Sequence, residues 1–337
     1  MRAGNLSLLF GVLTLCFSLT GTSLAQNVQA PPPGKLVDVG GWQLHLNCIG
    51  KSNEKAPTVV LEAGAGDFSF DWELVQREVA RFARVCAYDR AGYAWSDAGP
   101  IPRTMQQIVY ELHTGLAKAE IKPPYVLVGH SLGGLLVRKY AREYPKEVAG
   151  LVLVDSSHED QMISITDRTT RQEKVVRWRE LASGKSIPPV QTTFQRPASM
   201  AQWGATSGTG SALETPNNNL PTEVQQIRLW ATARPDWGQT RSSETFPFLA
   251  DELAQMHDER GSRKQPLNDL PLFVLTSGIA NEGKLRLQTD LLSLSNNSRQ
   301  IIAKQSGHHI HLDEPAVVTG AIKQVVEAAQ HHTRLRP

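Results

Sequence analysis

Gly129-His130-Ser131-Leu132-Gly133 has the form G-x-S-x-G. A serine hydroxyl is a poor nucleophile until a base takes its proton. The pentapeptide is short enough to arise by chance, so its surroundings decide its meaning. Tyr125–Val128 (YVLV) is a short apolar strand that runs straight into Gly129. After Ser131, Leu132 opens a helical stripe with Leu135, Leu136 and Tyr140 on one face. Strand, sharp turn and helix together make a nucleophile elbow. The flanking glycines leave room for the turn. The hydroxyl of Ser131 is then exposed at the carboxyl edge of a sheet, with helix N-terminal N–H groups facing the space in front of it. The chemistry that suits this arrangement is attack on an acyl carbonyl.

The elements that must carry such a turn alternate along the chain. Short apolar or alternating runs predict strands at Trp42–Cys48, Pro57–Leu61, Arg84–Tyr88, Tyr125–Val128, Val148–Val154, Pro271–Leu275 and Arg299–Ala303. Apolar stripes at helical spacing predict helices in Asp67–Phe82, Met105–Ala119, Leu132–Tyr144 and Val317–Ala329. Strands alternating with amphipathic helices imply an α/β fold, a mostly parallel central sheet with helices on both faces. Residues 157–266 break the rhythm, with no strand run and with Trp178, Trp203, Trp230 and Trp237. A structureless loop of that length is improbable in a compact domain. The segment is expected to be a largely helical insertion after Val148–Val154, the sixth strand in the count of the expected fold. Leaving the carboxyl end of a strand, it is placed to act as a lid.

LEAGAG (Leu61–Gly66), DRAGYAWSD (Asp89–Asp97), GHSLGG (Gly129–Gly134), GLVLVD (Gly150–Asp155) and SGHHIHLDEP (Ser306–Pro315) stand in an order and spacing that resemble the α/β-hydrolase superfamily, in its lidded, serine-nucleophile, esterase- or lipase-like form. The resemblance covers nearly the whole chain except the insertion. It implies a hydrolase core at 36–156 and 267–337 and a lid at 157–266.

The resemblance also implies roles. The base of such enzymes follows the last strand, where His308 stands after RQIIA. The acid is expected at Asp155, which ends GLVLVD, with Glu282 as the alternative after PLFVL. Asp155 could instead serve as a helix cap or loop anchor. The oxyanion hole would use the N–H groups of Leu132 and Ala65, with Glu62 bracing a loop that lacks the family's usual histidine. Asp89 and Arg90 are expected to fix a turn, and Trp42 and Trp95 to pack. His309 and His311 beside Asp313 suggest a metal only weakly, since a serine-dependent site explains the segment with no metal and no cofactor. The expected activity is carboxylic ester hydrolysis through an acyl-enzyme on Ser131. Other acyl or carbon–carbon hydrolysis, peptidase action, or a non-catalytic binding protein on the same fold are the alternatives.

Composition narrows the partners. Lys plus Arg is 35 against 33 Asp plus Glu, a net charge of +2 in 337 residues. Nucleic-acid binding calls for a clustered basic excess, which is absent from this balance. A small neutral, partly apolar substrate fits better. Met162, Met200, Met256 and the four tryptophans of the insertion would line its pocket or form the insertion's own core. Arg2, the apolar run Leu6–Leu19 and Ser23-Leu24-Ala25 have the three-part pattern of a signal peptide over residues 1–25. The run is short for a membrane span, so no stable anchor is expected after cleavage. Residues 26–35 read as an extended leader. The mature protein is expected to be exported, to the periplasm or the medium. In the resembling superfamily the second strand lies beside the fourth, which would admit a Cys48–Cys86 disulfide.

Overall fold

The computed structural model describes residues 31–51, 56–166, 171–194, 213–245, 248–262 and 266–336. The expected signal peptide, Met200 and Trp203 lie outside the described residues. The first half contains β1 (Lys35–Asp38), β2 (Gln43–Ile49), β3 (Thr58–Glu62), α1 (Glu73–Val79), β4 (Val85–Tyr88) and α2 (Met105–Lys118). It continues through β5 (Tyr125–His130), α3 (Leu132–Glu143) and β6 (Val148–Val154). Then come β7 (Met162–Thr166), β8 (Glu173–Arg177), α4 (Thr222–Thr232), α5 (Pro235–Thr245) and α6 (Leu249–Ser262). The chain closes with β9 (Leu272–Ser277), α7 (Glu282–Asp290), β10 (Ser298–Ala303), α8 (Ile310–Asp313) and α9 (Pro315–His331).

Eight strands form one sheet in the order β1-β2-β4-β3-β5-β6-β9-β10. From β4 to β10 every pairing is parallel, while β2 is antiparallel to both β1 and β4. The central strands are buried on both faces. Along β5, Tyr125 and Leu127 join the apolar layer under α2 and α3, while Val126 and Val128 join the layer under α1 and α9. That explains why these strands read as unbroken apolar runs rather than as alternation. The leader's end, Lys35, already belongs to β1, and the Pro33 carbonyl accepts from Nε2 of the buried His45. Cys48 and Cys86 stand directly opposite each other in the β2–β4 register and are joined by a disulfide.

The insertion between β6 and β9 corrects the expectation of a segment without strands. β7 and β8 pair antiparallel as a separate two-stranded sheet. Both are largely exposed, with Met162 52% and Val175 63% accessible. Their apolar residues are few, interrupted by Ser164 in β7 and flanked by charges in β8, so neither has the apolar run that marks a buried strand. α4, α5 and α6 are the helical part. They are tied to the core by buried contacts. Leu220, Val224 and Ala231 pack with Phe68, Phe70, Tyr93 and Trp95 in a third apolar cluster, which Trp230 and Trp237 border. Met256 belongs to the core layer under α2 and α3. Glu252 of α6 accepts from the backbone N–H groups of Met105 and Gln106 at the start of α2, at 3.0 and 3.2 Å. Burial pushes its carboxyl up to about 7. No helix among the described residues is long and apolar enough to cross a membrane.

Candidate active site

β5 and β6 end level with each other, His130 opposite Val154. The next residue of each strand turns sharply with left-handed backbone: φ is 51° at Ser131 and 43° at Asp155. A non-glycine residue in that region is held there by its surroundings at a cost of roughly 1–3 kcal/mol. At Ser131 the surroundings are close. A Cβ on Gly133 would lie 2.5 Å from the Glu62 carbonyl, so α3 can sit this tightly against the end of β3 only with glycine there. Gly129 is pressed in the same way against the Gly133 carbonyl. The Ser131 carbonyl accepts from Ser157 N–H at 2.9 Å and Gly134 N–H at 3.0 Å. Its side chain makes no capping hydrogen bond to α3, which leaves the hydroxyl for other work.

Asp155 is buried, and His308 Nδ1 donates to its Oδ2 at 2.5 Å. The Ser277 N–H donates to Oδ1 at 3.1 Å. The Lys284 ammonium of α7 also reaches Oδ2. Burial by itself would raise this carboxyl. The His308 and Lys284 contacts outweigh it and hold Asp155 below the ordinary 3.8. Burial draws the His308 imidazole below its ordinary 6.5, with Asp155 pulling the other way. Around His308 the loop is pinned by carboxylates from the following helices. Asp313 accepts from Gly307 N–H at 2.9 Å, and Glu314 accepts from Gln305 N–H at 2.8 Å. Glu282, the alternative acid, points elsewhere: it is exposed and pairs with Arg286 one helical turn along α7.

The loop after β3 carries Ala65. Its geometry depends on a residue the sequence assigned only to a turn. Arg90 is 2% exposed and donates to the Ala63 carbonyl at 2.8 Å, the Gly64 carbonyl at 2.7 Å and Glu62 Oε1 at 2.8 Å. With two consecutive carbonyls drawn to one guanidinium, the loop is fixed from beneath. Glu244 of α5 completes the arginine's fork, at 2.8 Å to Nε and 3.0 Å to Nη2, and accepts from the Tyr93 hydroxyl at 2.7 Å. Glu62, also bonded by the Tyr88 hydroxyl at 2.5 Å, is pushed up by burial to about 6. It braces the loop as expected, but through Arg90. Asp89 keeps the turn role, accepting from Ser69 N–H at 2.8 Å and pairing with His45 at 2.7 Å.

His130 links the three parts of the site. It is 1% exposed, and its Nε2 donates to the His308 carbonyl at 3.0 Å. Its Nδ1 faces Asp67 of the Ala65 loop at 3.3 Å. Asp67 also faces His309 at 3.9 Å and Arg228 of α4 at 3.3 Å. Burial would raise Asp67, but His130 and Arg228 hold it far below the usual carboxylate range. Burial brings His309 down to about 4 and His311 well below 6.5, so neither is cationic at neutral pH. His311 packs on Trp72 with ring centres 4.6 Å apart. His309 and His311 pack against His130 with tilted rings, centres 5.1 and 4.5 Å away, and no group of three or more His, Cys, Asp or Glu among the described residues is disposed to hold a metal ion.

Of the residues read from sequence, Asp155 and His308 are joined directly, Ser131 and Leu132 follow the strand beside that of Asp155, Ala65 lies in the loop after the adjoining β3, and Glu282 is exposed on α7. Lys284, Asp67 and Glu244 were missed. Arg90 stood in a recognised motif, but its partner Glu244 lies 154 residues away.

The sequence profile of the alpha/beta hydrolase fold matches residues 57–315. An AB hydrolase superfamily protein of Gibberella zeae is 26% identical over 312 residues, covering 85% of this chain and 91% of that protein. An uncharacterized protein of Bacillus subtilis is 27% identical, over 81% of this chain and 84% of its own length. Among solved structures, a meta-cleavage product hydrolase from Pseudomonas fluorescens superposes with a TM-score of 0.60 at 17% identity, over 88% of this chain and 99% of that one. A thermophilic esterase from Thermogutta terrifontis superposes with a TM-score of 0.59 at 18% identity, over 88% and 98%. At such identities the superpositions speak for the fold. With the profile spanning most of the sequence and the sheet order just described, the chain belongs to the alpha/beta hydrolase fold family.

Proposed function

We propose that this hydrolase is an exported serine esterase that cleaves small carboxylic esters through an acyl-enzyme on Ser131. The observation that carries the reading is the 2.5 Å contact from His308 to the buried Asp155, one strand away from a serine held at a strained turn. Nδ1 of His308 carries the hydrogen toward Asp155, so Nε2 is the free base. In the first step Nε2 takes the Ser131 proton as Oγ attacks the ester carbonyl carbon. The oxyanion rests on the Ala65 and Leu132 N–H groups. The tetrahedral species then expels the alcohol, protonated by His308. Water, deprotonated by the same imidazole, attacks the acyl-enzyme and frees the acid and Ser131. No other group is required for these steps.

A neutral, partly apolar substrate is supported by the rim, where Ile279 is 79% exposed beside Gly307 and Trp237 lies over Gly66. The insertion is read as the cover of this site, since α4 and α5 reach the Ala65 loop through Arg228 and Trp237. Export is supported by the signal-like N-terminus and by a disulfide, which oxidising compartments maintain.

The test is intact mass and peptide mapping after treatment with a fluorophosphonate, followed by an ester panel. One adduct on Ser131, absent in His308→Ala, is expected. A folded protein that takes up neither a bulky nor a small phosphonate would overturn the mechanism. Turnover of a vinylogous diketone but of no ester would move the reading to carbon–carbon hydrolysis.

A further inference from the structure

We propose that Lys284 is a positioning residue that shares the acid's oxygen with His308 and thereby sets the pH range in which His308 can act as a base. The inference rests on the triad reading above and adds a fourth member to it.

Lys284 enters the site from α7. Asn281 caps that helix by accepting from the Lys284 N–H at 2.8 Å, which fixes where the lysine stem starts. The ammonium then reaches Asp155 Oδ2, the oxygen that also accepts from His308 Nδ1 at 2.5 Å. Oδ1 is occupied by the Ser277 N–H. Among the described residues, both ion pairs of the acid therefore converge on one atom. The Lys284 side chain is 35% exposed, whereas Asp155 is enclosed.

In a serine triad the carboxylate stabilises the imidazolium that forms when the serine is deprotonated. A fixed cation on the same oxygen repels that imidazolium. Two effects follow from one contact. His308 stays a free base to lower pH, and it is a weaker base once free. The other groups facing His308 do not cancel this. His130 of β5 packs on it with ring centres 4.7 Å apart, and His309 of its own loop at 5.3 Å. Asp67 of the Ala65 loop faces His130 and His309 rather than His308. Among the described residues Asp155 is thus the one carboxylate that His308 contacts, and it is shared between the imidazole and the Lys284 ammonium.

The experiment is the pH profile of kcat/KM with 4-nitrophenyl acetate for the wild type, Lys284→Met, Lys284→Gln and Lys284→Arg. Removing the charge should move the acid limb up by about one pH unit, roughly a tenfold loss on the acid side, because one unit is tenfold in the free-base fraction. The alkaline plateau should hold or rise. Lys284→Gln keeps a hydrogen bond without the charge and should shift like Lys284→Met, while Lys284→Arg keeps the wild-type limb. A uniform loss at all pH values with the limb unmoved would overturn the proposal and leave Lys284 a scaffold residue. A limb displaced to lower pH would overturn it too. Fluorophosphonate labelling separates this from the parent reading. If Ser131 is labelled in every variant and the limb stays put, the lysine role alone fails; if Ser131 is not labelled even in the wild type, the triad itself fails.

Discussion

Glu244→Ala removes a carboxylate that accepts three hydrogen bonds inside the protein, two from Arg90 at 2.8 and 3.0 Å and one from Tyr93 at 2.7 Å. Arg90 and Glu244 are both almost fully enclosed. Truncating one partner of such a pair generally costs 3–5 kcal/mol. Here Arg90 keeps Glu62 and two carbonyls, and the like charge between Glu62 and Glu244 is relieved. The loss should therefore sit at the low end, about 3 kcal/mol. At ~2.1 cal/mol/K of unfolding entropy per residue over ~300 residues, that is a melting point about 5 °C lower. Glu244→Gln keeps the shape and one acceptor and should lose about half as much. Activity should fall as well. Arg90 holds the Ala63 and Gly64 carbonyls, the second in the same peptide unit as the Ala65 N–H, and slack there displaces that N–H from an oxyanion. Complete loss of one such donor lowers kcat by about 10²–10³. A smaller drop, with KM little changed, is expected from displacement. The assay is a thermal melt beside 4-nitrophenyl acetate kinetics. A Glu244→Ala protein melting within a degree of wild type would refute the energetic reasoning. One that melts low but keeps its kcat would refute the link between Arg90 and the oxyanion loop.

Asp155→Asn should leave the protein folded and lower kcat by roughly 10³–10⁴, since an amide no longer fixes the tautomer of His308; the fluorophosphonate labelling rate of Ser131 should fall with it. Because burial lowers His308, kcat/KM should reach half its plateau below pH 6.5, the histidine losing its proton and becoming competent earlier than a free imidazole would; a half-point above 6.5 would contradict this. Gly64→Ala places a Cβ 2.6 Å from Asp67 Oδ2 and 2.7 Å from His130 Nδ1, so the loop must shift and kcat should fall by on the order of 10². Replacing Cys48 and Cys86 by alanine opens a loop of 38 residues and should destabilise by about 4 kcal/mol in the chain-entropy picture, seen as a lower melting point with kcat retained.

The core and its central residues were legible because their signals are local. Tyr125–Val128 meets Gly129 at one point in the chain, and the turn, the helix and Ser131 follow from that junction. Asp155 and His308 were reached differently, through the resemblance, since the end of an apolar strand does not by itself tell an acid from a helix cap. β7 and β8 were not legible, since exposed strands need no apolar run. Neither was the support beneath the Ala65 loop. Glu244 sits on a helix whose apolar face is weak, and nothing local distinguishes it from a solvated glutamate until α5 is laid against Arg90. Lys284 was hidden likewise: an amphipathic side chain on a surface helix gives no sign that its end lies on the acid.

The left-handed turns at Ser131 and Asp155 have a consequence for how this chain can evolve. At Ser131 an L-residue stands where glycine would relax the backbone, by roughly 1 kcal/mol or more, and its side chain makes no capping hydrogen bond that would offset the strain. Asp155 differs, because its buried carboxylate is bonded by His308, Lys284 and the Ser277 N–H. Selection for stability and selection for turnover therefore pull in opposite directions at the serine and in the same direction at the acid. In a lineage that no longer needed catalysis, residue 131 would be under pressure to drift toward glycine while residue 155 was kept. A stability-only selection on a library randomised at residues 131 and 155 would reveal this directly, by enriching glycine at 131 and aspartate at 155.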